Sequence, residues 1–116
     1  MTSPICSVLI YVPDVKAALD WYALAFKRAE GRQIDELSFE YLDVSGVRLE
    51  IVPADAKVTS GAAGSVVYWR VDDFDEAKEH FISAGASLYR GPMRVEDRKQ
   101  MCVLRDPWGN CFGLSG

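Results

Sequence analysis

The two halves of the chain share one pattern of residues, and this internal repeat constrains the fold more than any other feature of the sequence. In each half an apolar run closes on an acidic residue and leads into a helical pattern, as CSVLIYVPD and later as SVVYWRVDD. A shift of 59 residues, from Asp14 to Asp73, also places Val71 on Val12. Because this shift is about half of the 116 residues, the sequence predicts two tandem copies of one supersecondary unit.

A strand, a helix and a hairpin are predicted in the first half. Residues 6–12 are rich in β-branched and aromatic side chains, which is typical of a buried strand. Asp14 offers a helix N-cap, and apolar residues recur at helical spacing over 14–26. Residues 37–43 and 47–52 flank a Ser-Gly turn and predict a hairpin.

The same elements are predicted in the second half. Residues 65–73 form a strand pattern closed by acids, and 74–86 form an amphipathic helix pattern with Gly85 as its C-cap. Residues 100–105 and 110–114 predict a second hairpin around the turn sequence DPWGN, in which proline, glycine and asparagine all favour a tight turn.

Two short additional strands complete the predicted modules. One lies near 88–90 and its counterpart near 33–35. We expect one domain of two tandem modules, about 1–56 and 65–116, joined by the small, polar, glycine-bearing linker 57–64.

Composition excludes several classes of protein. The net charge of −4, from 13 basic and 17 acidic residues, argues against a nucleic-acid-binding protein. No apolar run is long enough to span a bilayer, and the N-terminus lacks the features of a signal peptide. Cys6, Cys102 and Cys111 are predicted to be free, buried thiols, because their number is odd and their spacing fits no metal motif. We therefore expect a cytoplasmic protein with no nucleic-acid or membrane partner.

Four stretches, in order along the chain, carry a family resemblance: LIYVPDVKAALDWY, FEYLDVSGVRLEIV, VVYWRVDDFDEA and LRDPWGNCFGL. The sequence resembles the glyoxalase, bleomycin-resistance and extradiol-dioxygenase superfamily, also called vicinal oxygen chelate proteins, over essentially its whole length. The resemblance implies an α+β fold in which two βαβββ modules form a cup-shaped curved mixed sheet. It also implies a homodimer, in which the second subunit completes the cup.

The metal-binding positions of that family are changed here. Metal enzymes of the family hold a divalent cation through two histidines and a glutamate, and the matching positions are Ser7, Val66 and Gly113. None of these supplies the imidazole nitrogen or carboxylate oxygen that such a site needs. We therefore expect no metal and no other cofactor.

A ligand-binding set follows from the resemblance together with the two-residue period of strands. Side chains that alternate toward the interior of the cup would present an apolar and aromatic lining with a few polar groups, which suits a planar or amphipathic molecule. The predicted ligand-binding residues are Ser7, Leu9, Tyr11, Glu50, Val66, Tyr68, Arg70, Trp108, Cys111 and Gly113.

Alternatives stay open for three of these residues. Arg70 either binds an anionic or aromatic group of the ligand or forms a salt bridge to Glu40 or Glu50. Gly113 either leaves space on the interior face or marks a bulge or frayed end of the last strand. Trp108 either lies at the rim of the site or packs against Trp21 or a partner subunit.

The sequence favours a metal-independent protein that sequesters an aromatic or amphipathic ligand, cationic antibiotic-like compounds included, as bleomycin-resistance members of the family do. The alternative is a glyoxalase-like lyase or isomerase with Glu50, Glu40 or Tyr11 as base, or with a non-standard metal site. The single histidine, His80, falls within a charged helical pattern, so a histidine-based catalytic triad lacks support. A regulatory or assembly role is a third class.

Overall fold

The fold of residues 5–116 is described by a computed structural model. Residues 1–4, with which the first predicted module begins, lie outside the described part. The chain divides into two compact units, with the boundary between Ser60 and Gly61. This boundary falls within the glycine-bearing segment 57–64.

The N-terminal unit is a four-stranded mixed sheet with one α-helix. Strands β1 and β4 are parallel, whereas β4, β3 and β2 pair antiparallel, so the strand order is β1-β4-β3-β2. A 3₁₀ turn over Asp35–Leu37 separates β2 from β3. The elements are β1 (Ser7–Val12), α1 (Val15–Ala25), β2 (Ala29–Ile34), β3 (Phe39–Val44) and β4 (Val47–Pro53).

Helix α1 begins where the sequence predicts. The Asp14 carboxylate accepts a hydrogen bond of 3.1 Å from the backbone N–H of Ala17, which satisfies one of the unpaired donors at the helix start. The buried face of α1 covers one side of the sheet, so that the core of the unit lies between them. The buried apolar residues of the N-terminal unit are Val12, Ala18, Tyr22, Ala25, Phe26, Leu42, Val44, Leu49 and Ile51.

The C-terminal unit repeats this arrangement with strand order β5-β8-β7-β6. Strands β5 and β8 are parallel and the other pairs are antiparallel. A 3₁₀ turn over Glu96–Arg98 follows β6. The elements are β5 (Val67–Arg70), α2 (Phe74–Ser83), β6 (Ser87–Arg94), β7 (Gln100–Arg105) and β8 (Cys111–Ser115).

The C-terminal core also lies between helix and sheet. Asp73 caps α2 by accepting from the N–H of Glu76 at 3.0 Å, as Asp14 caps α1. The rings of Phe81 and Phe112 meet edge to face with centroids 5.1 Å apart, which fixes the face of β8 that α2 covers. The α+β fold of two β-α-β-β-β units is therefore confirmed.

Two element lengths differ from the prediction. The additional strands β2 and β6 span six and eight residues, longer than the short segments predicted near 33–35 and 88–90. Helix α2 ends at Ser83, before the predicted end at 86, because Gly85 adopts a positive φ of 118° that terminates the helix. Neither α1 nor α2, the two α-helices within residues 5–116, has the length and apolar character needed to cross a bilayer.

Candidate functional site

Each sheet has one face packed on its helix and one face without a helix, which we call the helix-free face. In the N-terminal sheet the register pairs Leu9 with Glu50 and Tyr11 with Val52. Because paired residues point to the same side and neighbours alternate, these side chains lie opposite Leu49 and Ile51, which are buried in the core. All four predicted ligand-binding residues of the N-terminal unit therefore share the helix-free face: Ser7, Leu9, Tyr11 and Glu50.

Arg48, which was not among the predicted site residues, contacts two aromatic rings and a carboxylate on this face. The guanidinium carbon of Arg48 lies 4.1 Å from the ring centroid of Tyr41 and 6.0 Å from that of Phe39. Its Nε atom is buried and lies 3.1 Å from Oε2 of Glu50, in an ion pair without the alignment of a hydrogen bond. Arg48 could have been predicted as a site residue, because it lies two residues before Glu50 and therefore on the same face of the same strand.

The two carboxylates considered as general bases lie on different faces. Glu50 is on the helix-free face with 18% of its side chain exposed, paired with Arg48. Glu40 has the same orientation along β3 as the buried Leu42, and it is exposed. Glu40 and Glu50 therefore do not meet on one face of the N-terminal sheet.

Gly113 lies beneath an aromatic ring in the C-terminal sheet. It is buried, and the register pairs it with Tyr68 on β5 and Val103 on β7 without a break. A Cβ atom added to Gly113 would overlap the Tyr68 ring, at 2.7 Å from Cγ. The interpretation of Gly113 as a bulge or frayed end is therefore wrong. The residue leaves space on the helix-free face, and the Tyr68 ring occupies it.

The residues at the family's metal-binding positions do not fit a divalent cation. Ser7 opens β1, Val66 immediately precedes β5, and Gly113 is covered by Tyr68. A hydroxyl, an isopropyl group and a hydrogen atom provide no set of strong donors. Within residues 5–116, no three His, Cys, Asp or Glu side chains are grouped in a way that could hold a metal ion.

The turn between β7 and β8 is held by one buried carboxylate. Oδ1 of Asp106 accepts from the backbone N–H groups of Trp108 at 2.9 Å and Asn110 at 2.8 Å. Gly109 has a φ of 89°, and its carbonyl accepts from Nε of Arg105 at 3.1 Å. The turn predicted from DPWGN is thus confirmed, with Trp108 half-buried within it.

Arg70 ends β5 on the same face as Tyr68, two residues earlier in the strand. Its side chain is exposed and forms no ion pair within its own unit, residues 61–116. Glu50, one of the salt-bridge partners considered for Arg70, pairs with Arg48.

The three thiols are free, but they differ in exposure. Cys102 is buried and Cys111 is half-buried, and burial raises the pKa of both thiols. Arg105 opposes this shift at Cys111. The prediction that all three are buried is wrong for Cys6, which is exposed because it precedes the first residue of β1. A raised thiol pKa disfavours the thiolate, so Cys111 lacks the character of an activated nucleophile.

Comparison with known families gives a match over almost the whole chain. The model described as Glyoxalase/Bleomycin resistance protein/Dioxygenase superfamily matches residues 5–114. No curated protein sequence matches the chain.

Solved structures with the same fold are numerous. A member of the glyoxalase/bleomycin resistance protein/dioxygenase superfamily from Sphaerobacter thermophilus has a TM-score of 0.78 at 20% identity, covering 98% of this chain and 97% of that one. The fosfomycin resistance protein FosX from Listeria monocytogenes has a TM-score of 0.78 at 17% identity, covering 99% and 93%. TioX from Micromonospora has a TM-score of 0.68 at 22% identity, covering 97% and 98%. At these identities the likeness shows the fold alone.

Proposed function

Because the chain belongs to the glyoxalase/bleomycin resistance protein/dioxygenase superfamily, we propose that it binds a small aromatic or amphipathic molecule on its helix-free faces without a metal ion. Sequestration of the compound, rather than its chemical conversion, is the proposed activity. One of its structural neighbours is a fosfomycin resistance protein, which supports a small-molecule ligand for a protein of this fold.

The packing of Tyr68 over Gly113 carries the proposal. A metal enzyme of this family needs a carboxylate at position 113, whereas here an aromatic ring covers the glycine backbone. The ring is held by the sheet beneath it and is still 41% exposed, so it offers a flat apolar surface to a ligand. An aromatic platform therefore stands where the family's metal chemistry would require a ligand to the metal.

The N-terminal sheet supports the same interpretation with a different set of contacts. Arg48, stacked on Tyr41 and paired with Glu50, forms a fixed polar group beside the aromatic side chains of this face. Leu9, 44% exposed on that face, adds apolar surface. A few oriented polar groups among apolar and aromatic side chains are typical of sites for small organic molecules.

A homodimer and a cytoplasmic location are part of the proposal. Leu24 and Leu37 are large apolar side chains that stay exposed in the single chain, as expected of a protein that associates with a second copy. Light scattering coupled to gel filtration measures the association directly, and a monomer at all concentrations would remove this part of the proposal.

The experiment is a thermal-shift series on the purified protein with Zn²⁺, Mn²⁺ and Mg²⁺ and with planar organic compounds of different charge. A compound present at about 100 times its Kd stabilises by about 2.7 kcal/mol, which raises Tm by roughly 10 °C in a domain of this size. We expect stabilisation by an organic compound class, and its loss in Tyr68→Ala. The control is Ile82→Ala, which removes an exposed apolar side chain from α2 and lies outside both the helix-free faces and the proposed dimer surface.

Two outcomes contradict the proposal. Stoichiometric bound metal, or a rise in Tm specific to one cation, would indicate a metal site built from other residues. Conversion of a bound compound to a product, abolished by Glu50→Gln, would establish the alternative of a lyase or isomerase that uses a carboxylate base.

A further inference from the structure

The strands of the C-terminal sheet carry positive charge only. Strands β5, β6, β7 and β8 contain four arginines and no aspartate, glutamate or lysine. The strands of the N-terminal sheet, by contrast, contain two arginines and four acidic residues. This difference stands out in a chain whose net charge is −4.

Three of the four arginines lie on the helix-free face. The register pairs Arg70 with Ser115, Arg90 with Val103, and Arg105 with Cys111. In β7 and β8 the helix-facing residues are the buried ones that alternate with these partners, such as Leu104 and Phe112. The fourth, Arg94, pairs with Gln100 and belongs to the opposite face.

The three arginines lie in the row of residues that contains Tyr68 and in the two rows next to it. Tyr68, Gly113, Val103 and Arg90 form one row across the sheet in the order β5, β8, β7, β6. With neighbouring strands about 4.8 Å apart, the Cα atoms at the two ends of this row are roughly 14 Å apart. Arg70 lies in the next row on one side and Arg105 in the next row on the other, so the row that begins at Tyr68 ends at one arginine and has a further arginine in each adjacent row.

Two of these cations are available to a ligand. Arg70 and Arg90 are exposed, and within residues 61–116 neither lies at ion-pair distance from a carboxylate. Arg105 is fixed in place, since its Nε donates to the carbonyl of Gly109 and its guanidinium lies 5.1 Å from the ring centroid of Tyr89. Acidic residues of this unit accept hydrogen bonds from backbone N–H groups instead: Asp73 does so at the start of α2 and Asp106 within the turn between β7 and β8.

We propose that the helix-free face of the C-terminal sheet binds an organic anion, in which a carboxylate or phosphonate group is attached to an aromatic or apolar body. The body stacks on Tyr68 and the oxyanion is held by Arg70 and Arg90, whose guanidinium groups can each donate two parallel hydrogen bonds to the oxygens of a carboxylate or a phosphonate. This inference rests on the proposed function and specifies its ligand class. It favours an anion over the cationic compounds suggested by the net charge.

The test uses one aromatic body with three charges: naphthylacetate, its neutral amide and the cationic naphthylethylamine, titrated by calorimetry at low ionic strength. We expect naphthylacetate to bind at least about 10-fold more tightly than the amide or the amine. Naphthylmethylphosphonate, added as a fourth arm, distinguishes a phosphonate preference from a carboxylate preference. Equal or tighter binding of the amide or the amine overturns the inference.

The matched variants are Arg70→Gln, Arg90→Gln and Arg94→Gln, which remove the same charge from the two faces of one sheet. We expect each of the first two to weaken naphthylacetate binding by about 5- to 10-fold and Arg94→Gln to change it by less than about 2-fold. Equal losses in all three variants would mean that only the overall charge of the sheet attracts the probe, which overturns the inference. All three residues are exposed, and unchanged Tm values establish that the variants are folded.

The two proposals fail in different ways. If the amide or the amine binds and Tyr68→Ala abolishes that binding, small-molecule binding stands and only the anion preference is overturned. If neither these probes nor the wider panel of compounds binds, both are overturned.

Discussion

The substitution Gly113→Ala tests whether the Tyr68 ring is packed on the backbone of β8. An added Cβ atom at position 113 would overlap Cδ2, Cε2 and Cγ of that ring, so the ring must move. Gly31 provides the matched control. It also lies inside a strand, has nothing within 4 Å of an added Cβ atom and has no positive φ.

The expected change in the free energy of unfolding for Gly113→Ala is the sum of two opposing effects. Inserting a methyl group into a packed contact costs about 1–3 kcal/mol, and the cost here falls in the lower half of that range because Tyr68 is 41% exposed and can rotate outward. Replacing a glycine by alanine restricts the unfolded chain and contributes about 0.4–1 kcal/mol of stability where the backbone permits it. We expect a net loss of about 1 kcal/mol for Gly113→Ala, and a neutral or slightly positive effect for Gly31→Ala.

Denaturant unfolding measures these differences, with Tyr68→Ala and the double variant completing a thermodynamic cycle. Once the ring is absent, the methyl group at 113 has no tyrosine to displace, so the double variant should be more stable than additivity predicts by about 1 kcal/mol. Gly113→Ala as stable as Gly31→Ala, or an additive cycle, would refute the packing of Tyr68 on Gly113 and with it the aromatic platform.

Two further predictions concern the turn and the thiols. Asp106→Ala should destabilise the protein by about 2–4 kcal/mol in denaturant unfolding, because the buried carboxylate is lost and two part-buried N–H groups lose their acceptor. Asp55→Ala removes the same pair of bonds from an exposed loop and should cost less than about 1 kcal/mol, and equal losses would contradict the role of burial. At about pH 8, iodoacetamide should modify Cys6 first and Cys102 last, as read by peptide mass spectrometry. Burial raises the pKa of Cys102 and Cys111, so their alkylation should accelerate only at higher pH, and fastest labelling of Cys111 would contradict this order.

The elements that sequence predicts well here are those specified locally. Asp14 and Asp73 cap their helices through bonds to N–H groups three residues away, and Asp106 forms its turn over four residues. Such contacts depend on short stretches of sequence, which is why the repeat and the turn were recognisable. The two-residue period of strands likewise placed Ser7, Leu9 and Tyr11 on one face, whereas the orientation of Glu50 toward that face was implied only by the family resemblance.

The contacts that sequence could not give depend on register between distant strands. Tyr68 and Gly113 are 45 residues apart, and only the parallel pairing of β5 with β8 places them opposite each other. Strand β6, SLYRGPMR, was underestimated because it contains a glycine and a proline and its register shifts twice along β7. Proline is tolerated there because β6 is an edge strand, where its missing N–H disrupts no ladder on the outer side.

Acidic and basic residues of the C-terminal unit occupy different structural positions, so the net charge and the charge of the strands favour different ligands. Acidic residues of the C-terminal unit cap and begin α2, or hold turns, where carboxylates satisfy exposed N–H groups and favour the helix dipole. Four of the five arginines of this unit lie on the strands instead. Since charges in salt are screened over about 8 Å, we expect a small molecule bound as proposed on the helix-free face to respond to Arg70 and Arg90 more than to acids on the far side of the sheet.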